Sequence, residues 1–123
     1  MVLHFQNGEI LKGSSYDFFP DKRWFLFKDG NTEKLVTVEV EALKGIFFVR
    51  AFTGDPGYRE RLVSKGGIGK RVLVLFKDGE VLVGYTLAVS PERIGFYLFI
   101  PDPGSNNEKV FVIKSATEKV ILK

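Results

Sequence analysis

Two stretches of this chain are written on one template, and that limits what it can fold into more than any other feature. Val72 to Gly84 reads VLVLFKDGEVLVG, and near the N-terminus Val2 to Gly13 reads VLHFQNGEILKG. Phe5, Gly8, Glu9, Leu11 and Gly13 fall without a gap on Phe76, Gly79, Glu80, Leu82 and Gly84. In each stretch two β-rich apolar runs flank Asn7-Gly8 or Asp78-Gly79. Such a pair between such runs signals a hairpin with a type I′ turn.

The likeness continues beyond the hairpins. Tyr16–Arg23 begins extended and breaks at Pro20-Asp21, with proline at the first corner of a turn. Strands are then predicted at Trp24–Phe27, Lys34–Val40 and Leu43–Val49. The second copy follows the same order: strands at Val72–Phe76 and Glu80–Thr86, a turn at Ser90–Arg93 with Pro91 in register with Pro20, then Phe96–Ile100, Glu108–Ile113 and Val120–Leu122. Short strands with frequent turn signals predict an all-β fold, here two tandem five-stranded small-barrel repeats, and not a βαβ unit. The copies are placed at residues 1–50 and 71–123, with a linker at 51–70. Within that linker Asp55 as N-cap, Pro56 in the first turn and Gly66-Gly67 as a stop predict a short helix over Pro56–Lys65. Units of about fifty residues bury too little surface to be secure alone, so the copies are expected to pack together.

Charge is informative by position. Residues 1–49 and 72–123 are close to neutral, whereas the joint holds Arg50, Arg59, Arg61, Lys65, Lys70 and Arg71 against Asp55 and Glu60. A local cationic patch attracts anions, so these six side chains are candidate anion-binding residues for a phosphate or a nucleic-acid backbone. The alternative is a solvated linker. Gly66-Gly67-Ile68-Gly69-Lys70 offers backbone N–H groups but lacks the strand-before, helix-after setting of a phosphate loop.

With no cysteine in the chain, disulfides, thiolate metal sites and cysteine nucleophiles are excluded. The only histidine, His4, has no carboxylate cluster in sequence and makes a poor metal ligand, so no metal and no cofactor is expected. No nucleophile elbow is present, and an enzyme is not expected. Alternation from residue 4 argues against a signal peptide, and apolar runs such as Gly45–Val49 are far too short for a membrane span. A cytoplasmic protein with no membrane association is the expectation.

Lys44-Gly-Ile-Phe-Phe-Val-Arg-Ala-Phe-Thr-Gly-Asp-Pro-Gly-Tyr-Arg-Glu-Arg61 resembles a bacterial family of unknown function. The resemblance is strongest in the second copy, through Phe76-Lys-Asp-Gly-Glu80, Gly84-Tyr-Thr86, Ser90-Pro91, Gly95-Phe96, Asp102-Pro103, Ser105-Asn-Asn107 and Val110-Phe-Val112. It covers nearly the whole chain. It implies a two-repeat β-barrel domain with no assigned activity, occurring alone or beside signalling modules such as PilZ domains. Each repeat is also similar, by strand count and hairpin order, to Sm-like and Src-homology-type barrels. The Sm uridine pocket wants a paired Asp and Asn after the second strand; Asp17 has no such Asn, and the second copy has Ala88 there.

The loop Asp102-Pro-Gly-Ser-Asn-Asn107 is longer than its counterpart, which makes Asp102, Ser105, Asn106 and Asn107 candidate loop contacts. The alternative is a self-capped turn. Trp24, Phe25, Phe27, Phe96, Tyr97 and Phe99 could stack bases if exposed, but aromatics at strand alternation are usually core. The reading is a non-catalytic binding or regulatory adaptor module with a protein partner or signalling domain, and with homo-oligomers open to it. The alternative is nucleic-acid or nucleotide binding through the linker.

Overall fold

The computed structural model describes residues 1–49, 69–100 and 107–122. Among these residues ten strands form one open antiparallel sheet: β1 (Val2–Phe5), β2 (Ile10–Ser14), β3 (Trp24–Asp29), β4 (Leu35–Glu39), β5 (Leu43–Val49), β6 (Lys70–Phe76), β7 (Val81–Thr86), β8 (Gly95–Phe99), β9 (Asn107–Ile113) and β10 (Thr117–Leu122). Their order across the sheet is β10-β6-β7-β8-β9-β5-β1-β2-β3-β4. A single 3-10 turn precedes β5 (Val40–Ala42) and another precedes β10 (Lys114–Ala116).

The two middle strands are apolar on both faces. Ile46 lies opposite Phe111 and Phe47 opposite Val110 where β5 pairs with β9. Successive side chains point to opposite faces. Ile46 and Phe111 therefore enter one core with Leu3, Phe25, Phe27 and Val38, while Phe47 and Val110 enter a second with Val72, Val74, Phe76 and Leu98. Burial on both sides is why Ile46-Phe-Phe48 and Val110-Phe-Val-Ile113 are unbroken apolar runs. Strand β3 is covered on one face only, so its burial alternates although Trp24 to Phe27 are all apolar: Trp24 and Leu26 are exposed, Phe25 and Phe27 buried.

For β3 and β4 to reach Phe111, the β2–β4 end must fold back over one face of the middle strands. The β10–β6–β7 end folds over the other face, since Val72 and Val74 share a core with Phe47. The bends fall at β2–β3 and β7–β8, where pairing shrinks to Gly13 and Ser14 on one side and Tyr85 on the other. Glycine makes these crossings feasible. A Cβ on Gly13 would sit inside the Lys28 carbonyl oxygen, and one on Gly84 inside that of Phe99.

Closed small barrels are not what forms. Among the described residues β4 pairs with β3 alone and β10 with β6 alone. Closing the first five strands needs the second edge of β5, and β9 occupies it; the same pairing uses the edge of β9.

The hairpin turns also differ from expectation. A type I′ turn needs positive φ at both central residues, but Glu33 is the sole non-glycine with positive φ among the described residues. Instead Gly8 N–H donates to Phe5 O at 3.1 Å and Phe5 N–H to Glu9 O at 2.9 Å, with Gly8 at φ 95°. That is a three-residue loop with a left-handed glycine closing a bulge. The other hairpin is alike: Gly79 N–H to Phe76 O at 3.0 Å, Phe76 N–H to Glu80 O at 2.8 Å, Gly79 at φ 94°. Asn7 and Asp78 each accept the N–H of the residue two ahead at 2.9 Å, which holds the loop. The proline turns are as expected, closed by Lys22 N–H on Phe19 O and Arg93 N–H on Ser90 O.

Candidate protein-binding surface

Of the six basic residues in the joint, Arg50, Arg59, Arg61 and Lys65 lie outside the described residues. Lys70 and Arg71 open β6 and are exposed, opposite Thr86 and Tyr85. Asp102, Ser105 and Asn106 are likewise outside, as is the expected helix at Pro56–Lys65. Asn107 begins β9, its backbone opposite Val49. Neither set is brought together into a site by the described residues.

Asp17 is a positioning residue for the chain. Its Oδ1 accepts the Leu26 N–H at 3.0 Å and the Ser15 hydroxyl at 3.1 Å, and its Oδ2 takes Lys22 Nζ at 3.0 Å. The Lys22 hydrogen bond, helped by Leu26 and Ser15, holds the Asp17 carboxyl below its ordinary value. These bonds tie the β2–β3 connection onto β3.

The most charged internal feature joins the two halves. Lys44 interrupts the apolar β5 run and is only 8% exposed. Its Nζ lies 2.7 Å from Asp78 Oδ2, reaches Glu80 Oε1, and sits 4.8 Å from the centre of the Phe76 ring. Burial alone would lower the lysine, but the hydrogen bonds to Asp78 and Glu80 outweigh it and Lys44 is raised. Asp78 is correspondingly lowered, first by its hydrogen bond from Lys44. Every group here is already paired, so the cluster is a pin between β5 and the β6–β7 hairpin.

His4 stands beside this pin, its ring 4.2 Å from that of Phe47. Burial, and then the Lys44 charge, push its pKa below the ordinary value of 6.5, while Glu80 and Asp78 oppose them. The folded chain therefore protonates His4 at lower pH than the unfolded chain does. Stability should fall as pH drops below about 6.5. Thermal midpoints between neutral and mildly acid pH test this: His4→Gln should flatten the slope, and an unchanged slope would contradict the assignment. Among the described residues no group of three or more His, Asp or Glu gathers as a metal site. No helix there is long and apolar enough to cross a membrane.

Exposed apolar side chains occur in the connections, at Tyr16, Phe19 and Leu87, at Ile10 on β2, and as a set toward each end of the sheet. On β3 and β4, Trp24, Leu26 and Leu35 face solvent, Leu35 at 64% exposure. An open groove of about 510 Å³ runs beside them, lined by Arg23, Trp24, Thr37, Glu39 and Glu41. Lys22 Nζ stands 5.1 Å from the Trp24 ring. At the opposite end Val81, Val83, Ile121 and Leu122 are exposed. Each end also presents one strand whose outer edge has no partner among the described residues. An unpaired strand edge flanked by apolar side chains is a template for another strand. The full length of the chain matches the model of one family, a family of unknown function, DUF6982, over residues 1–123. The chain belongs to that family. Neither the curated proteins nor the solved structures gave a match.

Beyond the edges, this DUF6982 chain has a hollow of about 420 Å³ between the Pro20 turn and the β7–β8 connection, lined by Leu87, Ala88, Tyr97 and Phe99 among others. Arg93, which also lines it, pairs with Asp21 at 2.8 Å, both well exposed, so the pair adds little stability.

Of the six strand aromatics Phe25, Phe27 and Phe96 are buried in the cores as expected, Tyr97 and Phe99 are half-buried, and Trp24 is exposed. The edge residues Leu26, Leu35, Ile121 and Leu122 were not anticipated as a surface. No local signal marked them, because Trp24-Phe-Leu-Phe27 reads like the buried runs Ile46-Phe-Phe48 and Val110-Phe-Val-Ile113.

Proposed function

We propose that this chain is a non-catalytic adaptor module that binds protein partners by adding a strand to the ends of its sheet. The observation that carries this reading is the open edge of β4 with Trp24, Leu26 and Leu35 exposed beside it. In strand addition the main chain supplies hydrogen bonds and the flanking side chains supply selectivity. A regulatory place beside signalling domains suits such a module, because it can join partners without chemistry of its own. The nucleic-acid alternative rests on the basic linker, of which Lys70 and Arg71 are described and exposed at the start of β6.

We also read the sheet as two copies of one five-stranded unit of small-barrel type, left open because they share a seam. The strand orders β5-β1-β2-β3-β4 and β10-β6-β7-β8-β9 support this. So do the matching bonds Gln6 N–H to Ala42 O and Lys77 N–H to Ala116 O, and Val40 N–H to Arg23 O and Lys114 N–H to Ile94 O.

Trp24 is the sole tryptophan and reports directly on the proposed surface. Extended peptides of alternating apolar and polar residues should shift its emission saturably. Leu35→Lys should weaken that binding about tenfold, equivalent to ~1.4 kcal/mol, without altering the fold. Peptides that leave Trp24 unmoved, or that bind the variant equally well, would refute strand addition.

A further inference from the structure

We propose that the partner of these edges is a second copy of the chain: β10 of one copy pairs with β4 of the next, in the register that β5 and β9 adopt inside the chain. This rests on the strand-addition reading and names its occupant.

The internal seam supplies the geometry. β5 follows a 3-10 turn and pairs on one side with β1; β10 follows a 3-10 turn and pairs on one side with β6. The remaining edge of β5 meets β9, a strand that pairs on its other side with β8 as β4 does with β3. The strands left without an outer neighbour among the described residues are thus β10, placed like β5, and β4, placed like β9.

Moving the register across tests the match residue by residue. Inside the chain Phe47 faces Val110 and Phe48 faces Lys109. The corresponding pairs between copies are Ile121 with Val36, and Leu122 with Leu35. Ile121 and Leu122 are 43% and 49% exposed, so apolar groups now in water would be covered. Pairing β4 with β4 about Thr37 would instead set Leu35 against Glu39, which favours the head-to-tail joint over a symmetric one.

Charge sets the strength. At the inner seam Lys44 is clamped by Asp78 and Glu80. By the same correspondence Glu118 takes the place of Lys44, while Asn7 and Glu9 take those of the two carboxylates. The joint between copies brings two carboxylates together, which repel, so it is weaker than the inner seam and concentration-dependent.

Sedimentation velocity on the full chain, from micromolar to submillimolar concentration, tests this. The wild-type chain should move from monomer to larger species. Leu35→Lys, blocking β4, and Ile121→Lys, blocking β10, should each stay monomeric, with unchanged circular dichroism because both sites are exposed. Leu122→Glu is the second β10 variant should Ile121→Lys fold poorly. Mixed together, the two blocked chains should form a one-to-one dimer and nothing larger, since each retains the edge the other lacks. Glu118→Lys should lower the concentration for association about tenfold by facing Glu9 with opposite charge. A wild-type chain monomeric throughout, or blocked chains that associate alone but not with each other, would overturn the proposal. If peptides still shift Trp24 in a strictly monomeric chain, strand addition survives and only the self-partner falls.

Discussion

Phe111→Ala should cost about 3–5 kcal/mol of unfolding free energy, the range for emptying a phenylalanine site in a packed core. It should do so in one transition. Phe111 is 1% exposed, and its ring stands edge-on to Phe18 at 5.4 Å and to Tyr97 at 5.1 Å. It belongs to β9, yet it fills the core built on Leu3, Phe25, Phe27 and Ile46. Its neighbours Val110 and Val112 fill the other core. A cavity at this position therefore loosens the strand that both cores share. Small domains hold only about 5–15 kcal/mol in total, so the loss is severe. Denaturant curves followed by Trp24 emission, which senses the β3 end, and by far-ultraviolet circular dichroism should shift together. If Trp24 reported an unchanged midpoint while the backbone signal moved, the halves would be independent and the shared core would be wrong.

Most strands were readable because each is bounded by local chemistry. Leu43–Val49 matches its predicted limits, and the two proline turns close where Pro20 and Pro91 indicated. What decides an open sheet against closed barrels is not local. It depends on whether the second edge of β5 meets β4 or β9, and no turn residue encodes that choice. The unbroken run Ile46-Phe-Phe48 did not decide it, since Trp24-Phe-Leu-Phe27 is equally unbroken and yet is covered on one face only. Type I′ turns failed as a prediction because Asn-Gly and Asp-Gly also serve a three-residue loop with glycine in the left-handed position. The sequence-derived candidate sites fall largely outside the described residues, and the exposed ends were missed. An apolar residue on a strand has the same sequence signature whether its strand is interior or last.

The Lys44 pin yields the second large effect. Asp78→Asn combined with Glu80→Gln removes both countercharges and leaves an ammonium in a site where it is 8% exposed. Stranding a buried charge costs 3–5 kcal/mol when its surroundings are dry. Here the acidic partners are 54% and 44% exposed, so water reaches the site and the expected loss is about 2 kcal/mol. Lys44→Met should be close to neutral, because an apolar side chain of similar length keeps the packing on Phe76 and releases both carboxylates to solvent. Adding Lys44→Met to the double variant should then restore most of its loss. Acid separates the same variants. Asp78 is lowered in the folded chain, so its contribution is present above its ordinary value near 3.8 and fades as pH falls below that. Lys44 is raised, so its contribution holds up to about 10.5 and fades only in stronger alkali. Lys44→Met should flatten both limbs. Were Lys44→Met as damaging as loss of the two carboxylates, the lysine would be holding the seam by attraction; were it neutral, its charge would serve to choose this pairing over others, which is the outcome its apolar strand and hydrated partners favour.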